Sequence, residues 1–330
     1  MAPASSALAK PIWRFSVVAR MPQSLVTKYG LAAYEKVQQQ LATISSRFND
    51  PDVFSGTFSF DLAGFEISTG SAHQEVKKPH PGYDFAVVYD ETVDGGWYGQ
   101  YQAILHAWQD VPCGAPEVSG GVFGALATDG LVHEFGHARG AIDVYEECVD
   151  PARNPINGAP FYAPGGIMNF PYNVHLWDQY SAEVINASAA TIYREAPIVD
   201  AALPPLFTIA AIAAGAPLAG AHIDLFPVIW RTGAVSQLGV FLGNRLDSHP
   251  VLSGITTGSG EWTLPHNPFA AAHNKTWNIA HPNFLVRARV ATGVHAAHPE
   301  IGYEWLSLSA VGAAAFAAPY QPYRLEIGLR

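Results

Sequence analysis

The sequence predicts an α+β protein with two domains, and three observations lead to this prediction. In the first ~200 residues, strand-like segments alternate with segments whose apolar residues recur at helical spacing. From about Leu203 onward, short apolar segments alternate with turns rich in Gly, Pro and Asn. The chain has 330 residues, of which 49% are hydrophobic, so it is long enough for two cores. We expect a mixed domain at residues 1–198 and an all-β sandwich at residues 199–330.

The first domain begins with segments typical of strands and of one long helix. Ile12–Arg20 alternates and is rich in Val and aromatic residues, which indicates a strand. Ser24–Phe48 carries apolar residues at helical spacing and predicts a long helix. Phe54–Ile67 indicates a strand or a hairpin, and Tyr83–Tyr89 is an apolar run suited to a buried strand.

The most informative stretch is Leu-Val-His-Glu-Phe-Gly-His, which begins at Leu131. On a helix, His133 and His137 lie one turn apart on the same face, so both rings can reach a single metal ion. Glu134 lies beside the first histidine, where it can reach a water on that ion without being a ligand. This spacing therefore predicts a metal-binding helix with an adjacent carboxylate.

The residues that follow this helix predict a third ligand. Gly140 suits a helix end that requires a positive φ, and the chain can then turn back so that Asp143 faces the histidines. Two imidazoles and one carboxylate leave a fourth tetrahedral position open, which is typical of a catalytic zinc ion and not of a structural one. We therefore expect one catalytic Zn²⁺ ion.

The alternative is an amphipathic helix with two hydrogen-bonded histidines and a glycine at its C-cap. In a chain of this composition, the full pattern with its glycine and aspartate would arise by chance roughly one time in ten thousand. The metal site is therefore the favoured interpretation.

These residues resemble the signature of the metzincin zinc peptidases, HExxHxxGxx followed by His or Asp, in the variant with aspartate. Gly165–Phe170 resembles the methionine turn of that clan, with Met168 as its methionine. The aspartate variant is similar to bacterial endopeptidases of the snapalysin type. It is also similar to peptidases that cleave immunoglobulin A, in which an aspartate and a nearby tyrosine follow the helix, as Asp143 and Tyr145 do here. The resemblance covers roughly residues 83–195 and is strongest at the helix and the turn.

The resemblance implies a fold for the first domain. It would contain a twisted mixed sheet, a long N-terminal helix, the active-site helix, the methionine turn and a C-terminal helix, which we assign to Trp177–Tyr193. The resemblance also implies an exposed edge strand over the cleft, for which we predict a glycine-rich turn at Gly95–Gln102 that leads into a strand at Ala103–Trp108. Such an edge binds an extended polypeptide substrate through main-chain hydrogen bonds. An ordinary hairpin with surface aromatic residues is the alternative.

The implied reaction is peptide-bond hydrolysis by a zinc-activated water, with Glu134 as general base. Met168 would pack beneath the histidines as a hydrophobic floor. Some metzincins have a tyrosine two residues after this methionine, whereas this chain has Phe170. A hydroxyl that contacts the substrate or stabilises the oxyanion could come instead from Tyr145 or Tyr172.

The second domain shows only short strand signals. Its N-terminal segments resemble the immunoglobulin-like or transthyretin-like modules that are appended to peptidases. The predicted strands are Ala221–Ile229, Glu261–Leu264, Phe284–Val290, Tyr303–Leu308 and Tyr323–Leu329.

Cys113 and Cys148 are the only cysteines of the sequence, and they flank the metal-binding motif. If they form a disulfide, the closed loop holds the motif helix, and the chain-entropy model gives about 4 kcal/mol of stabilisation. A disulfide would indicate an oxidising compartment, whereas two buried thiols would fit a cytosolic protein. The sequence leaves both possibilities open.

Composition narrows the range of partners. Charged residues make up 14% of the chain, the net charge is −10 and no basic cluster occurs, so we expect no nucleic-acid partner. The uncharged run Ala201–Ile223 is long enough to span a membrane, but prolines and glycines interrupt it, so we expect no membrane span. Few charges and many aromatic residues favour a secreted monomer. The N-terminus shows no signal peptide, which fits a mature secreted chain or a cytosolic protein.

Two other functions remain possible on sequence grounds. The chain could be a non-catalytic binding or adhesion protein built on a degenerate zinc-protease scaffold. The presence of Glu134 argues against this alternative, because a scaffold that only binds zinc does not need a base. The chain could also be a zinc hydrolase of a non-peptide substrate, which an edge strand beside the site disfavours.

Overall fold

The computed structural model describes residues 10–93, 95–109, 120–190, 201–229, 244–270, 283–290 and 301–330. Helices and strands both contribute, so the predicted α+β class is confirmed. The chain divides into two compact units, Met1–Ile142 with Gly166–Glu195 and Asp143–Gly165 with Ala196–Arg330. Residues 143–165 thus belong to the second unit, although the sequence predicts one continuous domain through residue 198. The boundary predicted at residue 198 lies outside the described residues.

The first unit is built on a five-stranded mixed sheet. The strands are β1 Ile12–Pro22, β2 Thr57–Ser68, β3 Phe85–Asp90, β4 Gly95–Tyr98 and β5 Ala103–Ala107. Their order is β2-β1-β3-β5-β4, and the edge strand β4 runs antiparallel to β5, whereas the other neighbours pair in parallel. The predicted edge strand is β5 and lies inside the sheet, because the segment predicted as a glycine-rich turn forms β4 and pairs with it. The segment predicted as a strand or hairpin is a single strand, β2, because it pairs with β1 along its whole length.

Within its described residues this unit has five α-helices, and the predicted long N-terminal helix is in fact two of them. Gly30 adopts a φ of +60°, which ends the first helix and lets the second start two residues later. The predicted C-terminal helix is shorter than expected and begins after Asp178, whose side chain accepts a hydrogen bond from the Ser181 amide. The helices are α1 Gln23–Tyr29, α2 Ala32–Arg47, α3 Ala72–Glu75, α4 Ala125–Ala138 and α5 Gln179–Ser188.

An aromatic cluster in the core orients α4. Phe135 is fully buried, and its ring lies 4.6 Å from the Phe60 ring and 5.9 Å from the Phe85 ring. Each such aromatic pair contributes about 0.5–1.5 kcal/mol beyond simple burial. Because Phe135 faces the sheet, His133 and His137 lie on a different face of the helix.

A buried polar network connects the sheet to the helices near α4. His106 on β5 is buried, and its Nε2 lies 2.6 Å from the Val122 carbonyl oxygen. The Gln40 amide donates to the same carbonyl and accepts a hydrogen bond from the Tyr89 hydroxyl. Burial lowers the pKa of His106 from 6.5 to about 4, since the imidazolium ion would be desolvated there.

The pKa of His106 predicts a specific loss of stability in acid. His106 takes up a proton near pH 6.5 in the unfolded chain and near pH 4 in the folded chain. The unfolding free energy is therefore highest above pH 6.5 and decreases as the pH is lowered toward 4. We expect the titration of His106 to lower the unfolding free energy by about 3 kcal/mol between pH 6.5 and pH 4. Denaturant titrations of the wild type and of His106→Gln between pH 7 and pH 4 measure this difference. His249→Gln, at an exposed histidine, is the matched control; equal pH slopes in all three proteins would contradict the prediction.

The described residues of the second unit form two sheets. The strands are β6 Phe207–Ala213, β7 Ala216–Pro217, β8 Ala221–Ile229, β9 Arg245–Leu246, β10 Leu252–Ile255, β11 Glu261–Thr263, β12 Asn283–Val290, β13 Ile301–Ser307 and β14 Tyr323–Leu329. One sheet has five strands, in the order β10-β8-β12-β13 with β9 paired to β8, and the other has four, in the order β11-β6-β14 with β7 paired to β6.

The part of this unit that the structure describes is not all-β as predicted, because it contains a helix after β13. A helix, α6, occupies Leu308–Ala317 directly after β13, with the Ser307 side chain as its N-cap. Its residues are almost uniformly small and apolar, so they show no helical period in the sequence. The uncharged run Ala201–Ile223 contributes β6 and the start of β8. Within the described residues, no helix has the length and apolar character that crossing a membrane requires.

Candidate metal centre

The end of α4 determines how the chain continues past the second histidine. The Ala141 amide donates to the Gly136 carbonyl (3.0 Å), and the Gly140 amide donates to the His137 carbonyl (2.9 Å). These two bonds form a Schellman motif, which requires a left-handed residue just after the helix. Gly140 supplies it with a φ of +93°, as the sequence predicts. The chain therefore reverses within three residues of His137 and continues to Asp143.

The two histidine side chains turn the same ring nitrogen toward each other. The Nδ1 of His133 lies 2.9 Å from the Ile167 carbonyl oxygen, and the Nδ1 of His137 lies 2.9 Å from the Ala141 carbonyl oxygen. A carbonyl oxygen only accepts hydrogen bonds, so both Nδ1 atoms carry a proton, and in the neutral rings both Nε2 atoms carry a lone pair. The two Nε2 atoms are 3.1 Å apart. At this distance either a proton on one ring or a metal ion between the two rings can satisfy both nitrogens.

The distance between the Nε2 atoms suits a bound metal ion. Two nitrogens about 2.0–2.1 Å from a tetrahedral ion are about 3.3 Å apart. One nitrogen from each histidine and a carboxylate oxygen of Asp143 all lie within 4.8 Å of one another. Hydrogen bonds from the far ring nitrogens to backbone carbonyls are also typical of metal-binding histidines. The cluster of His133, His137 and Asp143 can therefore bind a metal ion.

Glu134 lies beside this cluster and against the edge strand of the sheet. Its side chain is 7% exposed. A Cβ atom placed on Gly96 of β4 would be 2.3 Å from the Glu134 Oε1 atom. The backbone of β4 thus passes so close to the carboxylate that any side chain at this position would force Glu134 to move. The sequence does not reveal this constraint, because the two residues are distant in the chain.

The segment around Met168 forms a tight turn that supports the helix. The Asn169 and Phe170 amides both donate to the Gly166 carbonyl, and Met168 is fully buried. A Cβ atom on Gly136 would be 2.5 Å from the Met168 sulfur, so the turn packs directly against α4. The same turn supplies the Ile167 carbonyl that orients His133.

Asp129 could cap the metal-binding helix on sequence grounds, but it lies inside α4, which begins at Ala125. It lies one turn before His133 on α4 and is buried. Its carboxylate accepts a hydrogen bond of 2.9 Å from the Asn173 amide. Asp129 therefore ties the chain just beyond the methionine-containing turn to the metal-binding helix.

The remaining predicted site residues have more peripheral contacts. Tyr172 stacks edge-to-face on Phe170 (5.3 Å between ring centroids) and approaches Gly130 of α4. Tyr145 is half-buried in a 3₁₀ turn at Val144–Glu147. Neither contact assigns a catalytic role to a tyrosine hydroxyl.

Of the two cysteines, the structure describes one. Cys113 lies outside the described residues, so the predicted disulfide remains a prediction. Cys148 is half-buried, and its sulfur accepts a hydrogen bond from the Ala163 amide at 3.3 Å. Burial raises the pKa of the Cys148 thiol, which disfavours the reactive thiolate.

Comparisons with known proteins do not assign a family. No protein-family model and no curated protein matches the sequence. One solved structure, described as "Structure of a chaperone-substrate complex", is 14% identical in sequence and has a TM-score of 0.32. The match covers 54% of this chain and 35% of that chain. This similarity is too weak to support a conclusion about fold or function.

Proposed function

We propose that the protein is a zinc endopeptidase of the metzincin type. The observation that carries the proposal is the convergence of the His133 and His137 Nε2 atoms with the Asp143 carboxylate, beside the buried Glu134. Two imidazoles and one carboxylate suit Zn²⁺, and a set of three protein ligands is typical of catalytic zinc. The mixed sheet, the helix α4 and the turn at Met168 follow the order of elements that the metzincin resemblance implies.

The residues around the cluster have distinct roles in this proposal. A bound zinc ion supplies Lewis acidity and lowers the pKa of a water molecule. Glu134 accepts the proton of the attacking water and passes it to the leaving amine. Ile167 and Ala141 hold the histidine rings in the correct tautomer through their carbonyls. Met168 forms an apolar floor against α4.

The proposed substrate is an extended polypeptide. The edge strand β4 pairs on one side with β5, and its backbone passes beside Glu134 at Gly96. A substrate strand that added to this edge would place a peptide bond near the carboxylate. The second unit would be an accessory β-sandwich, and the protein would act outside the cell as a monomer.

The proposal is tested by metal content and by proteolysis of an unstructured polypeptide such as casein. We expect about one zinc ion per chain, cleavage of casein, loss of cleavage after chelation and recovery with added zinc. Zinc binding without cleavage of any peptide would favour a binding or adhesion protein, or a hydrolase of another substrate. A folded wild-type protein that takes up no zinc would refute the metal centre itself.

The close approach of β4 to Glu134 predicts the effect of a single methyl group. In Gly96→Ala the new Cβ would overlap the Glu134 carboxylate, so the base must move while the three ligands stay in place. A misplacement of about 1 Å can lower a rate by about a hundredfold, and we expect a loss of this order in casein cleavage with unchanged zinc content. Gly328→Ala is the matched control, because Gly328 also lies in a strand and its Cβ would meet nothing within 4 Å. Full activity of Gly96→Ala would contradict the prediction, because it would show that the Glu134 carboxylate can move without loss of function.

A further inference from the structure

A buried carboxylate outside the metal cluster holds the segment that contains Asp143. Glu147 is fully buried, and its two oxygens accept hydrogen bonds from the Ser309 amide (2.7 Å) and the Ser309 hydroxyl (2.5 Å). Ser309 lies in the first turn of α6, where free amide groups and the helix dipole favour a negative charge. A buried carboxylate without such partners would cost several kcal/mol. These bonds therefore fix Glu147 to the start of α6.

Two asparagine side chains hold the backbone of the same segment. The Asn283 amide donates to the Glu147 carbonyl at 2.9 Å. The Asn244 amide donates to the carbonyls of Glu146 and, at 3.2 Å, Cys148. Both asparagines are buried. Three consecutive carbonyls thus receive side-chain hydrogen bonds, an arrangement that no local turn requires.

A short, hydrogen-bonded turn connects this anchor to Asp143. Val144–Glu147 is a 3₁₀ helix that begins directly after Asp143. The Glu146 amide donates to the Asp143 carbonyl (2.9 Å), and the Cys148 amide donates to the Tyr145 carbonyl (3.0 Å). Because the turn is closed by these bonds, a displacement of Glu147 also displaces Asp143.

We propose that Glu147 is a positioning residue for the third metal ligand. Ser309 and Asn283 lie more than 130 positions further along the chain, and their hydrogen bonds to Glu147 hold the turn that contains Asp143. The affinity for the metal therefore depends on these hydrogen bonds as well as on the ligands. This inference rests on the proposed metal centre, but it does not require that the protein cleaves peptides.

The test measures metal affinity directly and needs no enzymatic activity. Zn²⁺ affinity is determined by competition with a chromophoric chelator, and the Co²⁺ absorption spectrum reports the number of ligands. We expect Glu147→Gln and Ser309→Ala to bind Zn²⁺ about tenfold more weakly, as is typical when the support of a ligand is removed, and to show an altered Co²⁺ spectrum. Circular dichroism before each titration verifies that the variants are folded.

Asp224→Asn is the matched control. Asp224 is also a buried carboxylate of the second unit, with Ser253 and Arg287 as partners, but it lies on β8 and does not hold the Asp143 turn. Its replacement should leave the zinc affinity and the Co²⁺ spectrum unchanged. Wild-type affinity in both the Glu147 and the Ser309 variants would overturn the proposal, and so would an equal loss in Asp224→Asn. A wild-type protein that binds no metal would overturn the proposed function and this role together.

Discussion

Replacing Glu134 with glutamine is expected to reduce casein cleavage about a thousandfold while the zinc content stays near one ion per chain. General-base catalysis by a positioned carboxylate contributes 10²–10⁴-fold in rate, and an amide cannot accept the proton of the attacking water. Glutamine has nearly the same shape as glutamate, so it should fit against Gly96 without displacing β4. Steady-state kinetics on purified wild type and variant, with zinc measured on the same samples, give both quantities.

The control for this variant is Glu35→Gln, which removes a carboxylate from an exposed position on α2. It should leave both cleavage and zinc content unchanged. Cleavage by Glu134→Gln at close to the wild-type rate would show that another group is the base. Loss of zinc from Glu134→Gln would instead indicate that Glu134 is itself a ligand.

Replacing His137 with alanine is expected to weaken zinc binding more than about a hundredfold, since even the loss of a residue that only supports a ligand costs 10–100-fold. The same change should remove the stabilisation that zinc provides. At a zinc concentration of about a thousand times Kd, a bound ion stabilises the fold by about 4 kcal/mol. Thermal unfolding with and without zinc should therefore show a higher Tm for the zinc-bound wild type and no shift for His137→Ala.

The metal-free variant is the reference for its own Tm shift, because His137→Ala also loses the hydrogen bond to the Ala141 carbonyl. A variant at an exposed histidine, His249→Ala, should respond to zinc as the wild type does. A zinc-dependent Tm shift of full size in His137→Ala would exclude His137 as a ligand.

The parts of the fold that depend on local sequence could be predicted. The histidine spacing on α4 and the glycine at its end are local features, and the structure has the helix and the positive φ of Gly140 where they are expected. Strands β8 and β14 match their predicted bounds, since both are apolar segments flanked by turn residues. The predicted long helix was wrong at Gly30, because a single glycine inside a helical pattern is compatible with both a continuous and a broken helix.

The parts that depend on contacts between distant residues could not be predicted. No spacing in the sequence brings Gly96 to Glu134 or Ser309 to Glu147, because these pairs are set by how strands and helices pack. The sequence offers Asp129 only as a possible helix cap, and its hydrogen bond with the Asn173 amide depends on the packing of a distant turn. The helix α6 was missed because uniformly small apolar residues show neither a helical nor a strand period.

The parallel pairing of β6 with β14 has a consequence for biosynthesis. Among the described residues, β6 is the first strand of the segment Ala196–Arg330, and its partner β14 ends at Leu329. During translation, β6 leaves the ribosome long before its neighbour exists, and one of its edges offers unpaired amide and carbonyl groups throughout that time. Pairings between such distant segments form late, and an apolar edge can recruit other chains in the interval. The nascent chain therefore stays exposed to aggregation at this edge until β14 has been made.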